Sequence, residues 1–181
     1  AAALGLPFVG GHPMAGRERG GYDFSSADLF VDRPWVIVPG DDPAGVAPVR
    51  ALALACAARP VTMAADVHDR AVAAISHLPL VAAAALVEAV GTAHGTGPDA
   101  WPEVTRLAAG GWCDMTRLAR GDVVMGTDIA VTNAGPLAAR LRAYIGVLER
   151  WADDLEASGG PDGDAIEARL RAARDRLEAV R

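Results

Sequence analysis

From residue 64 to the C-terminus, apolar side chains recur at three- and four-residue intervals, and this periodicity constrains the chain more than any other feature. It is the signature of amphipathic helices, each with one face that has to be covered. Val72, Ile75, Ala82, Leu86 and Val90 mark a first stripe. Asp66 can cap that helix, with Asp69 in the favourable first turn. Pro79 should kink it, because proline lacks an N–H and crowds the preceding turn. Gly91 to Pro98 reads as a loop, and a shorter helix over 100–109 is expected to stop at Gly110-Gly111. Asp122 can cap a helix over 123–133 that Gly135-Pro136 should end or bend. A second long stripe runs from Leu137 through Leu141, Ile145, Leu148 and Trp151 to Leu155, closed by Gly159-Gly160-Pro161. The last helix carries Ile166, Leu170, Leu177 and Val180, with Glu167 and Arg171 spaced i,i+4. Such stripes need a partner surface, so residues 64–181 are expected to form an all-helical dimerisation domain.

Residues 1–63 follow a different pattern. Residues 6–9 and 35–38 read as short buried strands, and Val61-Thr62-Met63 as a third. The segment 10–34 between the first two is too polar for core, and Ala47 to Ala58 suits a helix covering a sheet face. Strand, helix, strand is an α/β arrangement, and so few strands make a poor sheet by themselves. The chain opens on Ala1-Ala2-Ala3-Leu4 without methionine and runs straight into an apolar segment, which suggests a start in mid-domain.

Composition narrows the partners. The net charge of −6 gives no electrostatic case for nucleic acid or an anionic membrane. No apolar run is read as approaching the roughly 20 residues that cross a bilayer, and the N-terminus lacks the basic start of a signal peptide. Cys56 and Cys113 have no metal-type spacing, read as small buried hydrophobes, and suit a reducing cytoplasm. No metal site is expected.

Three short motifs could carry chemistry. In Gly10-Gly11-His12-Pro13-Met14-Ala15-Gly16, glycines at a strand end present a histidine where open α/β sheets bind ligands, or merely make a turn. In Ser76-His77-Leu78-Pro79, the histidine either faces a pocket opened by the proline or satisfies a backbone carbonyl freed by it. In Gly110-Gly111-Trp112-Cys113-Asp114-Met115-Thr116-Arg117, the arginine suits a bidentate carboxylate clamp or a structural pair with Asp114. Gly95-Thr96-Gly97-Pro98-Asp99-Ala100 fits a dinucleotide-loop string, but it follows a helix and Pro98 removes a needed donor. His68-Asp69 is read as a capping element, and His94 as a loop residue without a role.

Taken in order, Gly-Gly-His-Pro-Met-Ala-Gly, Ser-His-Leu-Pro and Asp-Met-Thr-Arg-Leu-Ala resemble the prephenate dehydrogenase family, arogenate-specific members included. The resemblance covers essentially the whole chain. It implies a mainly α fold: a remnant of an α/β Rossmann domain over 1–63, then the helical dimerisation and substrate domain over 64–181. It also implies NAD- or NADP-dependent oxidative decarboxylation of prephenate or arogenate in tyrosine biosynthesis, by a cytoplasmic homodimer. His12 would be the catalytic residue, hydrogen-bonding the ring hydroxyl and taking its proton, work that suits an imidazole. Arg117 would hold a substrate carboxylate, with His77, Glu18, Asp114 and Gly110 also on the substrate side. Gly11 and Pro13 would lie toward the cofactor.

The departures are specific. Where the family often has a second histidine the chain has Leu80, a common tryptophan is replaced by Gly126, and Arg17 and Gly20 stand where hydroxyl residues are frequent. The G-x-G-x-x-G turn that binds the cofactor pyrophosphate does not occur. The chain alone is therefore expected to bind the cofactor poorly. One competing reading is a stand-alone, non-catalytic helical domain that keeps Arg117 for an aromatic carboxylate. Another, a β-hydroxyacid-type dehydrogenase, is opposed by the absence of any lysine.

Overall fold

The computed structural model describes residues 4–16, 21–40, 43–92 and 104–180. Arg17, Glu18, Gly20, His94, the 95–100 string and the start of the 100–109 helix lie outside them. The elements are β1 (Gly10–Pro13), β2 (Pro34–Val38), α1 (Val46–Ala55), β3 (Arg59–Thr62), α2 (Ala65–Val72), a π-helical turn (Ala73–His77), α3 (Leu78–Thr92), α4 (Gly110–Thr116), α5 (Val123–Thr132), α6 (Ala134–Leu155) and α7 (Gly163–Glu178). The chain divides into two compact units, Ala1–Leu137 and Ala138–Arg181.

Three strands form one sheet in the order β1-β2-β3. β1 runs antiparallel to β2, with Gly11 opposite Ile37 and His12 opposite Val36, and β2 runs parallel to β3. The first strand is therefore not 6–9 but the Gly-Gly-His-Pro motif itself. Two glycines, poor strand formers elsewhere, are accepted because β2 supplies a full ladder partner there. Gly11 also makes room for an aromatic ring: a Cβ there would lie 3.1 Å from Trp35 Nε1. The third strand sits two residues earlier than its expected start, at Arg59.

The helix α1 connects the parallel pair and packs on both its strands. It ends in a Schellman arrangement: Ala58 N–H bonds Ala53 C=O at 3.0 Å, and Ala57 N–H bonds Leu54 C=O at 2.9 Å. The pivot, Ala57, has φ +55°, a region costly for any residue with a Cβ. Ala57→Gly is therefore expected to stabilise the chain by about 1 kcal/mol, read as a higher urea midpoint.

The long helix starts differently from its sequence signals. Its N-cap is Ala64, without a side-chain cap. Asp66 lies inside the first turn and bonds Arg70 at 2.7 Å instead of capping. That guanidinium holds the Asp66 carboxyl below its ordinary range.

The helix does not stop at Pro79. Leu78 N–H reaches back five residues to Ala73 C=O, the π-helical bond, one residue before the proline. Widening the turn relieves the clash between a pyrrolidine ring and the carbonyl four residues earlier. As a result Ala65–Gly91 is one helix, long and apolar enough by length and composition to cross a membrane. The sequence reading expected no run near that length and a kink at Pro79, where the helix instead continues through a wider turn. Within the fold this helix carries Asp66, His68, Asp69, Arg70 and His77.

A helix begins at Gly110 rather than stopping there, since Ala109 is extended and α4 follows it. Asp122 caps α5 as expected, accepting from Met125 N–H at 2.9 Å. Asn133 ends that helix with φ −115° and α6 follows, with Pro136 in its first turn where a missing N–H costs little. Within the second unit, Arg169 stacks 3.9 Å over the Trp151 ring and pairs with Asp154. Asp162 caps α7 through Asp164 and Ala165 N–H. Cys113 is exposed and Cys56 half-buried, so neither is the buried hydrophobe expected.

Candidate active site

Alternation along β1 decides where His12 points. Gly11 faces Trp35 and Val49 of α1, so His12, one residue on, faces the opposite side of the sheet. There the long helix and α5 line an open cavity of about 610 Å³. Its lining includes a polar wall of His12, His68, Asp69, His77 and Asn133, beside Asp122, Asp128 and Thr132; Val72, Val124, Met125 and Ile129 contribute apolar surface.

The polar wall is a connected chain of hydrogen bonds. His12 Nδ1 lies 2.8 Å from His68 Nε2, and the rings meet edge to face at 5.1 Å between centroids. His68 Nδ1 lies 2.9 Å from Asp69 Oδ1. The Asn133 side-chain amide donates to Asp69 C=O at 2.9 Å and lies 3.1 Å from His77 Nδ1. Asn133 is nearly buried, at 9% exposure, as a polar side chain can be when its hydrogens are used.

Burial lowers the His12 pKa below the ordinary 6.5, and the neighbouring His68 and His77 lower it further. Burial likewise lowers His77, helped by His68 and opposed by Asp69. Both rings are therefore held toward the neutral form. A group depressed in the folded state adds stability above its unfolded pKa and loses it as pH falls. The urea midpoint should be level above pH 6.5 and decline as pH falls from there through the depressed values of both histidines. Replacing His12 by glutamine should flatten that decline.

Of the residues singled out in the sequence, His12 and His77 share this cavity. Gly11 and Pro13 stand beside His12 in β1, Gly11 against the indole and Pro13 opposite Trp35, and neither lines the cavity. Gly110 and Asp114 lie in α4 and Arg117 in the 3-10 turn that follows, against α3; none of the three lines it. Glu18 lies outside the described residues. The two replaced family positions are neighbours: a Cβ on Gly126 would sit 3.7 Å from Leu80 Cδ2. His68 and Asn133 are cavity residues that the sequence reading missed. The capping role assigned to His68-Asp69 is not seen, because the histidine is engaged by His12 and Asp69.

A dinucleotide needs a glycine-rich strand-to-helix turn whose N–H groups cradle its pyrophosphate. Among the described residues, the turn from β2 to α1 enters through Pro43-Ala44-Gly45. At Gly40 the space a Cβ would take is filled by Phe8 C=O, 2.1 Å away, so the glycine there serves that close approach. These residues do not fit the phosphate end of such a cofactor.

Comparison with known proteins identifies the family. Residues 2–62 match the family model described as the nucleotide-binding domain of prephenate dehydrogenase, and residues 64–164 that of its dimerization domain. The prephenate dehydrogenase of Bacillus subtilis is 34% identical over 145 residues, 79% of this chain and 38% of that protein. The cyclohexadienyl dehydrogenase of Zymomonas mobilis is 31% identical over 164 residues, 87% of this chain and 53% of that protein. The chain thus spans about two-fifths to half the length of these relatives. The crystal structure of Synechocystis arogenate dehydrogenase superposes with TM-score 0.79 at 29% identity, covering 97% of this chain and 63% of that one. Prephenate dehydrogenase from A. aeolicus, in complex with hydroxyphenyl propionate and NAD+, shares the fold with TM-score 0.84 at 24% identity, covering 98% and 61%. The chain belongs to the prephenate dehydrogenase family.

Proposed function

We propose that the protein carrying this chain is a prephenate or arogenate dehydrogenase, coupling oxidative decarboxylation of the substrate ring to reduction of NAD or NADP. The observation that carries the reading is His12, a neutral imidazole at the cavity wall whose Nδ1 is already engaged by His68. Its other ring nitrogen is left to accept the proton of a ring hydroxyl. The ring carboxylate leaves as carbon dioxide, the ring becomes aromatic, and the cofactor takes the hydride. This chain's part is to hold the ring and remove the proton.

Residues 1–63 serve as the end of the nucleotide-binding domain and 64–181 as the helical dimerisation and substrate domain, in a cytoplasmic homodimer. Exposed apolar side chains support the dimer: Val124 and Val131 on α5, Ile145 and Leu148 on α6, and Leu177 on α7. Arg117, outside the cavity lining of this chain, is the proposed carboxylate partner on the resemblance of the Asp114-to-Arg117 motif. Arg117→Lys should raise KM more than it lowers kcat, because a point charge replaces a bidentate fork.

The test is spectrophotometric: reduced-cofactor formation by the complete enzyme with prephenate and with arogenate, with the product identified as 4-hydroxyphenylpyruvate or tyrosine. Turnover of either supports the reading. Tight binding of 3-(4-hydroxyphenyl)propionate with no turnover of either supports the non-catalytic ligand-binding alternative instead.

A further inference from the structure

Two cavity histidines meet the same space with different partners behind them. Asp69 Oδ1 can only accept as a carboxylate, so the proton of its 2.9 Å bond belongs to His68 Nδ1. With His68 neutral, its Nε2 has a lone pair and no proton. The 2.8 Å contact to His12 is then donated by His12 Nδ1–H, and His12 Nε2 is an acceptor.

The same reasoning gives the opposite answer for His77. The Asn133 amide orientation is set by Asp69 C=O, which accepts only, so the atom facing it is the amide nitrogen. That nitrogen's second hydrogen is directed to His77 Nδ1, 3.1 Å away, which therefore accepts. The proton of neutral His77 is on Nε2. Asp69 anchors both arms, one through its carboxylate and one through its backbone carbonyl.

We infer that His68 and Asn133 are positioning residues that lock the two cavity histidines in opposite tautomers, His12 as an acceptor and His77 as a donor. A hydroxylated ring meeting this wall gives a proton to one and receives a hydrogen bond from the other. When His12 Nε2 takes up a proton, the imidazolium keeps its Nδ1–H bond to His68. The tautomer assignment stands on the geometry with both rings unprotonated, the condition under which it is tested below; only its use on a substrate rests on the function proposed above.

The experiment is nitrogen-15 NMR of the labelled chain at about pH 8, well above the ordinary imidazole pKa near 6.5. The four histidines are assigned by single replacement. The wild-type chain should show His12 protonated at Nδ1 and His77 at Nε2. His68→Gln keeps an acceptor and should preserve the His12 tautomer; His68→Leu should return it to the Nε2–H form that free imidazole favours. Asn133→Asp puts an acceptor behind His77 and should move its proton to Nδ1. The inference is overturned by His12 protonated at Nε2 in the wild type, or by tautomers that ignore Asn133→Asp and the His68 pair. Should His68→Leu fail to fold, the wild-type spectrum and Asn133→Asp still decide the matter.

In the complete enzyme, His68→Leu should lower kcat by about 10²-fold or more with little change in KM, and His68→Gln should recover most of it. If the wild-type enzyme turns over neither substrate, the proposed function fails while the tautomer result stands.

Discussion

Replacing His12 with asparagine in the complete enzyme is expected to lower kcat by about 10²- to 10⁴-fold, the usual worth of one positioned general base. Asparagine can donate to His68 as His12 does, so the bond behind the ring is kept and the proton acceptor in front of it is lost. KM should change little, because the substrate loses one hydrogen bond among several. Steady-state kinetics of reduced-cofactor formation measure both parameters. A kcat within a few-fold of wild type would move the proton transfer to another residue.

The second large effect concerns stability. Ile37→Ala should cost about 2–5 kcal/mol, the range for removing most of a buried aliphatic side chain and leaving a cavity. Ile37 is the largest side chain fully buried among the described residues, at 0% exposure. It sits in the central strand, opposite Gly11 on one side and Thr62 on the other. Because β2 is the strand that β1 pairs with among the described residues, the substitution should also loosen His12. Urea unfolding measures the loss. A change under about 1 kcal/mol would mean that the three-strand sheet is not the cooperative unit described.

The sequence disclosed the site unevenly, for physical reasons. His12 and His77 were legible because each is flanked by residues with strong backbone preferences, the Gly-Gly pair and Pro79. Asp122 was legible because capping is a local interaction. His68 was not, since its partner lies 56 residues away in sequence. Helix arithmetic also argued against it. At about 100° per residue, positions nine apart such as 68 and 77 point to opposite faces of an α-helix. The π-helical turn at Ala73–His77 changes that phase and brings both rings to one cavity. Pro79 was the available signal for it, read as a kink when the helix answered with a wider turn. Asn133, 64 residues from the carbonyl it bonds, offered only its place before Gly135-Pro136 as a clue. The strand at Gly10–Pro13 was missed because glycine and proline argue against strands until a neighbour supplies the ladder.

The central claim is that His12, held neutral at the cavity wall, takes the substrate's proton. The pH dependence of kcat/KM tests it most directly, since that ratio reports the essential groups of the free enzyme. The account predicts an acid limb with an apparent pKa below the ordinary imidazole value of 6.5, from burial and the flanking histidines, and the disappearance of that limb in His12→Asn. An acid limb that persists unchanged in His12→Asn would contradict it, because the group that must be unprotonated would then be another one.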